Sequence, residues 1–322
     1  MHTDLPMAQV GRISDLQVTR LGMGTAPIGN LYAPVPEAQA IAAIQRAYEL
    51  GVRFFDTAPL YGAGQAEERL GKALRGVPRD ALIIETKVGR IVREDGSIYF
   101  DFSRDGVLRS LEDSLRRLGM DRVDILLVHD PDVEDPEGHF RQVVDEAFPT
   151  LVELREQGVI RAVGAGMNQW EMEWEFAQRV DVDCFLLAGR YTLLEQTALD
   201  FLVYCQQQGI GVFLGGIYNS GILATGPVPG AKYNYEDAPP AILERVRRIQ
   251  AITERHGVPL HVAAQHFARA HPAVTGLIVG SVSPEEAEDN RRIWDLELPP
   301  ALWQDLREAG LIDPRAPVPE TP

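Results

Sequence analysis

Residues 123–129 read VDILLVH, an apolar, β-branched run that stops on a polar side chain. A half-exposed strand would alternate apolar and polar residues, and this run does not. That is the pattern of a parallel strand covered on both faces. The same pattern recurs along the chain. VRFFDTA (52–58), ALIIETK (81–87), IRAVGAG (160–166), VDCFLLA (182–188), GVFLGG (211–216) and TGLIVG (275–280) follow it closely, and RLGMGTA (20–26) follows it more weakly. These stretches amount to eight strands.

Helical segments separate them. EAQAIAAIQRAYELG places Ile41, Ile44 and Tyr48 on one stripe and stops at Gly51. SRDGVLRSLEDSLRRLG offers Ser103 as N-cap, a leucine stripe and Gly119 as the stop. LVELREQG ends on Gly158, and further helical runs cover 169–179, 195–208, 241–256, 259–270 and 284–292. The expected fold is therefore α/β, a (β/α)8 TIM barrel. It carries an N-terminal hairpin cap (1–19), an extra C-terminal helix (298–310) and a C-terminal tail (311–322) on a single domain, 1–322. A doubly wound open sheet is the competitor. It wants a glycine-rich turn running straight into a helix, and APVP interrupts GMGTAPIG here.

The composition is globular, with 45% hydrophobic and 24% charged residues. A formal net charge of −16 disfavours nucleic acid and anionic membrane as partners. MHTDLPMAQVGR has no basic segment followed by an apolar one, so no signal peptide is expected. Cys184 and Cys205 sit in apolar runs and are expected as reduced thiols in a cytoplasmic protein. No His/Asp cluster with metal-ligand spacing is read, and no metal is expected. The expected partner is a small-molecule substrate, and the chain is expected as a monomer or small homo-oligomer.

In a barrel the site lies at the C-terminal ends of the strands. There FFDTAPLYG (54–62) supplies Asp56 and Tyr61, TKVGR supplies Lys87, LLVHDPD supplies His129, and GAGMNQ supplies Asn168. A phenol titrates near 10, too high for easy proton transfer at neutral pH, and a neighbouring ammonium favours the phenolate. A carboxylate keeps that ammonium charged, and a histidine holds a substrate oxygen. This is equipment for moving a proton at a carbonyl or alcohol oxygen. No protein side chain donates a hydride, so a nicotinamide cofactor is implied.

FDTAPLYG, the lysine of TKVG, the histidine of LLVHDPD and the block VGSVSPEEAEDN resemble the aldo-keto reductase superfamily over roughly residues 10–310. The resemblance implies the tetrad Asp56, Tyr61, Lys87 and His129, with Tyr61 as proton donor or acceptor. It also implies an extended nicotinamide cofactor across the barrel mouth. Thr25, Asp56, Asn168, Arg190, Gly215, Tyr218, Gly280, Ser281, Glu286, Asp289 and Asn290 stand where the family holds that cofactor. The usual lysine and arginine for a 2′-phosphate fall at Gly280 and Glu286, so NAD is expected over NADP. Gly215 replaces the aromatic that often stacks on the nicotinamide, leaving Phe213 or Tyr218 as substitutes, and Arg190 replaces a glutamine.

APIGNLY, LLVHDPD, AGRYTLLEQ and GGIYNSGIL are similar to the NAD-dependent aldose 1-dehydrogenase branch, which covers L-fucose, L-galactose and D-threo-aldose dehydrogenases and pyridoxal 4-dehydrogenase. The expected reaction is oxidation of an aldose hemiacetal at C1 to the lactone. The alternatives are pyridoxal or a simple aldehyde or ketone as substrate, and, in a different class, a non-catalytic cofactor-sensing module. Substrate contacts are expected from Ile28, Tyr32, Tyr61, Arg90, His129 and Asp132, with further choice in loops 89–102 and 217–237. Trp170 and Trp174 are read as helix packing.

Overall fold

The computed structural model describes residues 4–30 and 33–319. Eight parallel strands close into a barrel: Leu21–Gly24, Phe54–Asp56, Ile83–Val88, Ile125–His129, Ala162–Met167, Cys184–Ala188, Gly211–Gly215 and Val274–Gly280. They are called the first to eighth strands below. Each pairs with its neighbours in chain order, and the eighth closes on the first through Leu277 and Leu21. Every expected strand is present, most of them shorter than the apolar run and three extended by one residue at one end. Among the described residues no helix is long and apolar enough to cross a membrane.

The barrel is filled rather than hollow. Phe54, Ile125, Leu127, Leu186, Phe213 and Ile278 pack inside it, and Phe54 meets Phe213 with ring centroids 4.7 Å apart. The expected hairpin, Met7–Val10 with Ile13–Thr19, plugs the end where the strands begin, adding Val10, Leu16 and Val18 to the interior cluster. Burial of this apolar area is the main driving term. A second, larger core lies between the strands and the outer helices. The added helix Pro300–Glu308 packs on Pro240–Arg255 through Arg248 to the Ala309 carbonyl at 2.7 Å and His256 to Asp305 at 2.9 Å. The expected tail folds back, with Leu311, Ile312 and Ala316 buried.

Several elements were not expected. Gln65–Ala73 is a helix that follows the FFDTAPLYG turn. Pro136–Gln142 and a π turn at Val143–Ala147 extend the helix that LVELREQG alone announced. Segment 89–102 holds a hairpin, Arg90–Val92 with Ile98–Phe100, and 217–237 holds a short helix and a two-residue-strand hairpin. The helix expected from 195 begins at Leu199, because the Thr192 hydroxyl holds a local turn by accepting from Leu194 and Glu195 N–H groups.

One sequence device is used twice. VDIL and VDCF each open a strand, and in both the aspartate turns back to the preceding strand. Asp124 accepts from the Ile84 N–H at 2.8 Å, and Asp183 accepts from the Val163 N–H at 2.9 Å. Each is also paired with an arginine, Arg79 and Arg155 respectively. These carboxylates satisfy backbone donors where the strands emerge, and they lock the stagger on which the other end of the barrel depends. Asp183→Ala strands a buried N–H and removes one partner of Arg155. Urea denaturation is expected to show a loss of about 2–3 kcal/mol, and an unchanged midpoint would remove this role.

Candidate active site

Lys87 is the penultimate residue of the third strand, with its side chain 1% exposed. Its ammonium is ion-paired with Asp56 of the second strand and donates to the Thr57 carbonyl at 3.0 Å. A charge so far from water is tolerated only when paired and hydrogen-bonded. The Tyr61 ring lies with its centroid 5.1 Å from the Lys87 nitrogen. It also meets the His129 ring edge to face, centroids 5.9 Å apart. Three neighbouring strands and the loop after the second thus bring together all four residues expected as the tetrad.

Tyr61 is on a loop, so its placement needs its own explanation. Gly62 sits at φ 65°, and a Cβ there would stand 2.2 Å from the Gly29 carbonyl oxygen. Conversely, a Cβ on Gly29 would stand 2.7 Å from the Tyr61 carbonyl carbon. Two backbones therefore touch, and the first loop clamps the second. Asn30 braces the contact by donating to Gln65 at 2.8 Å, and Arg69 donates to the Ile28 carbonyl. The helix after this loop is tied to the third strand. Fully buried Glu67 accepts from the Thr86 hydroxyl at 2.7 Å and pairs with Arg117. Thr86 is the residue before Lys87, so phenol and ammonium are referenced to one strand.

Protonation is set by burial and charge. Tyr61 as a whole is half-buried. Burial raises the phenol pKa; Lys87 pulls it down, and Asp56 and Asp130 push it up again. The net direction is upward, so the expected lowering by the ammonium is outweighed and Tyr61 rests as a phenol. Burial also opposes charge on Lys87, but Asp56, Tyr61 and Glu85 together hold its pKa above the usual lysine range. Burial, Lys87 and Arg90 drive the His129 pKa well down, so its ring is neutral. Its Nδ1 is buried without a partner.

Beside His129, Arg90 donates to Asp130 at 2.8 Å. Asp130 was missed in the sequence, although it directly follows His129 in LLVHDPD. Its φ of 43° is the left-handed region that an aspartate enters at some cost, and its Oδ2 stands 3.4 Å from the His129 Nε2. Burial and Asp132 raise its pKa against the pull of Arg90 and Lys87, to about 6. Arg90 Nε and Asp132 Oδ1 are buried without partners. Ile28 is corrected: it is fully buried in the outer core, not on a pocket wall, because its turn packs down against Arg69. Tyr32 lies outside the described residues.

On the cofactor side, Thr25 is fully buried at the end of the first strand, and its hydroxyl has no partner; the same holds for Thr57. Such orphaned groups at the mouth fit a polar ligand. Asn168 donates to the Ala188 carbonyl at 3.1 Å, which leaves its own carbonyl oxygen facing away from that bond. Arg190 donates to Asn234 at 2.8 Å and so ties down the 217–237 segment. Gly215 faces inward next to Leu186. Phe213 is excluded as a stacking substitute, because it is locked in the barrel interior. Tyr218 remains beyond the seventh strand, its hydroxyl 3.4 Å from Gln265.

After the eighth strand, Asn290 donates to Ser281 at 3.0 Å and to the Gly280 carbonyl at 3.4 Å, joining three of the expected contacts. Ser283 caps helix Pro284–Trp294, and Glu286 accepts from the Val282 N–H at 2.9 Å, one residue before the cap. Asp289 pairs with Arg292. Trp170 and Trp174 pack, as expected, against each other and against Phe201 and Tyr204. Cys184 and Cys205 are buried free thiols.

Residues 20–310 match the aldo/keto reductase family, and the chain belongs to it. It is 38% identical to pyridoxal 4-dehydrogenase of Microbacterium luteolum, over 92% of this chain and 95% of that one. It is 35% identical to D-threo-aldose 1-dehydrogenase of a Pseudomonas species, over 92% and 95%. The fold superposes on the holo form of an aldo-keto reductase from Bacillus halodurans with a TM-score of 0.79, at 27% identity and covering 98% and 99% of the two chains.

Gly29→Ala forces the backbone at Tyr61 aside, and kcat is expected to fall by about 10²-fold with little change in the unfolding midpoint; unchanged kcat would remove the clamp. The Asp130 carboxylate is lost as pH falls through about 6. Because the folded value lies above the unfolded one, the ionised group disfavours the fold; this penalty shrinks as pH falls from about 6 and is gone only below the ordinary aspartate range. KM is therefore expected to rise below the same pH as Arg90 loses its partner. Asp130→Asn should flatten that limb, and a limb that persists in this variant assigns it elsewhere.

Proposed function

We propose that this aldo/keto reductase oxidises the hemiacetal hydroxyl at C1 of a cyclic aldose to the lactone, with NAD as its cofactor. The observation that carries the reading is the meeting of Tyr61, Lys87 and neutral His129 beside the Arg90–Asp130 pair. A proton-transfer group stands next to a polar wall with unspent hydrogen-bonding capacity at Arg90 and Asp132. A polyhydroxyl substrate satisfies such a wall, whereas an apolar aldehyde leaves it stranded.

In this mechanism neutral His129 holds the C1 oxygen. Tyr61 first releases its phenol proton to solvent; Lys87 stabilises the phenolate so formed, which then accepts the hydroxyl proton. Asp56 keeps Lys87 charged and in place. The nicotinamide, when bound, supplies the hydride acceptor. Thr25, Asn168, Ser281 and Asn290 are the residues assigned to hold it, and Arg190, Gly215, Tyr218, Gly280 and Asp289 to border it. NAD is favoured because Gly280 and Glu286 stand at the positions where the family resemblance implies cations for a 2′-phosphate. A carboxylate facing that phosphate costs on the order of a few kcal/mol. The buried free thiols support a reducing, cytoplasmic compartment.

Pyridoxal is the second reading, supported by the similarity to a pyridoxal 4-dehydrogenase. Closed on its own hydroxymethyl group, pyridoxal also presents a hemiacetal hydroxyl, so the same residues serve. The test monitors absorbance at the reduced-nicotinamide band with NAD or NADP against L-fucose, L-galactose, D-arabinose and pyridoxal. Turnover of an aldose with NAD is expected; a clear NADP preference overturns the cofactor reading, and turnover of pyridoxal alone overturns the aldose. Tyr61→Phe is expected to lower kcat by about 10²–10⁴-fold while NAD binding, measured by fluorescence, stays nearly intact. Wild-type binding of NAD without turnover of any substrate favours the cofactor-sensing module.

A further inference from the structure

Two positions before Lys87 on the third strand is Glu85, and that spacing returns its side chain to the same, inward face. Its register partner on the second strand is Asp56. Glu85 is fully buried, and neither of its carboxyl oxygens is met by a donor. The charged or titratable groups that bear on it are Asp56 from the second strand and Lys87 from its own strand; Glu85 in turn bears on the Cys184 thiol of the sixth strand. The inward side chains level with it on the flanking strands, Phe54, Ile125 and Leu127, are apolar, and the neutral His129 ends the fourth strand nearer the mouth.

Ionised, Glu85 would set a second negative charge beside Asp56 with one ammonium to serve both. Two carboxylates sharing one site cannot both ionise at ordinary pH. Burial and Asp56 accordingly push the Glu85 carboxyl well above the usual range, against the pull of Lys87. A protonated carboxyl is no longer an orphan once its O–H donates to Asp56, its register partner on the second strand.

We propose that Glu85 is a positioning residue that keeps its proton during turnover and donates it in a hydrogen bond to Asp56. Asp56 then sits between two donors, the Lys87 ammonium and the Glu85 hydroxyl. Part of its charge is drawn away from the phenol, and more of the Lys87 ammonium is available to the Tyr61 phenolate. This inference rests on the proton-transfer role of Tyr61.

The test uses the full-length protein and two variants. Difference infrared spectra at neutral pH should show the C=O stretch of a protonated carboxyl in the wild type that is absent from Glu85→Gln. The kcat of oxidation is then measured against pH. In Glu85→Val, Asp56 loses its second donor, so the rising limb should move about one pH unit upward and neutral-pH kcat should fall about tenfold. Glu85→Gln, whose amide still donates, should recover most of that loss. A residue that merely fills space would alter stability or KM and leave the limb in place. Identical carboxylic-acid bands in wild type and Glu85→Gln overturn the proposal, as does a limb in Glu85→Val that overlies the wild type. If Glu85→Val does not fold, the infrared comparison alone decides. That readout needs no turnover, so it separates failure of this inference from failure of the Tyr61 assignment.

Discussion

A lysine ammonium sits inside the barrel mouth at 1% exposure, and Asp56 is the reason it stays charged there. An ammonium stripped of water is costly, and removing its partner would cost about 3–5 kcal/mol. The pair therefore demands that the second and third strands meet in one register, with Asp56 beside Glu85 and Lys87 beside Leu127. Everything else at the mouth takes its bearings from that point. The phenol is measured from Lys87, the imidazole is kept neutral partly by its charge, and the buried carboxyl of Glu85 is kept protonated by its partner.

The opposite end of the barrel makes this possible. The hairpin plug, the Phe54–Phe213 contact and the two strand-opening aspartates fix stagger and fill the interior. Residues on strands inherit that rigidity. Tyr61 does not, since it lies on a loop, and it is held instead by backbone contact with Gly29 and by a helix anchored to Thr86. A side chain on a loop that is braced from two sides combines the reach of a loop with the precision of a strand.

The electrostatic balance is acidic around one buried cation. Asp56, Glu85, Asp130 and Asp132 all lie near Lys87 or Arg90, and burial lifts the pKa of Glu85, Asp130 and Asp132. Such a set can hold protons at different pH values within a short distance, the condition that separates acid from base roles in one site. It also reverses the simplest expectation for Tyr61: a lysine nearby does not lower a phenol's pKa when desolvation of the phenolate is the larger effect.

Much was legible in the sequence because strand-forming runs such as VDILLVH carry their own signature. Covered on both faces, they must be apolar throughout, and a polar residue at their end is conspicuous. That rule found all eight strands and Asp56, Lys87 and His129, and FFDTAPLYG pointed to Tyr61. It failed for side chains whose meaning depends on what they face. Ile28 was indistinguishable from a pocket residue until its turn was seen packed against Arg69, and Phe213 could be placed at the mouth until Phe54 claimed it. Asp130 and Glu85 are adjacent to, or two places from, recognised residues, yet only the closed barrel shows what surrounds them. By itself the sequence determined periodicity, and with it the barrel and the residue types at its mouth, because burial on two faces is a local demand on composition. Only the tertiary structure decided protonation states and the position of the phenol, because desolvation and backbone contact arise between segments far apart in the chain.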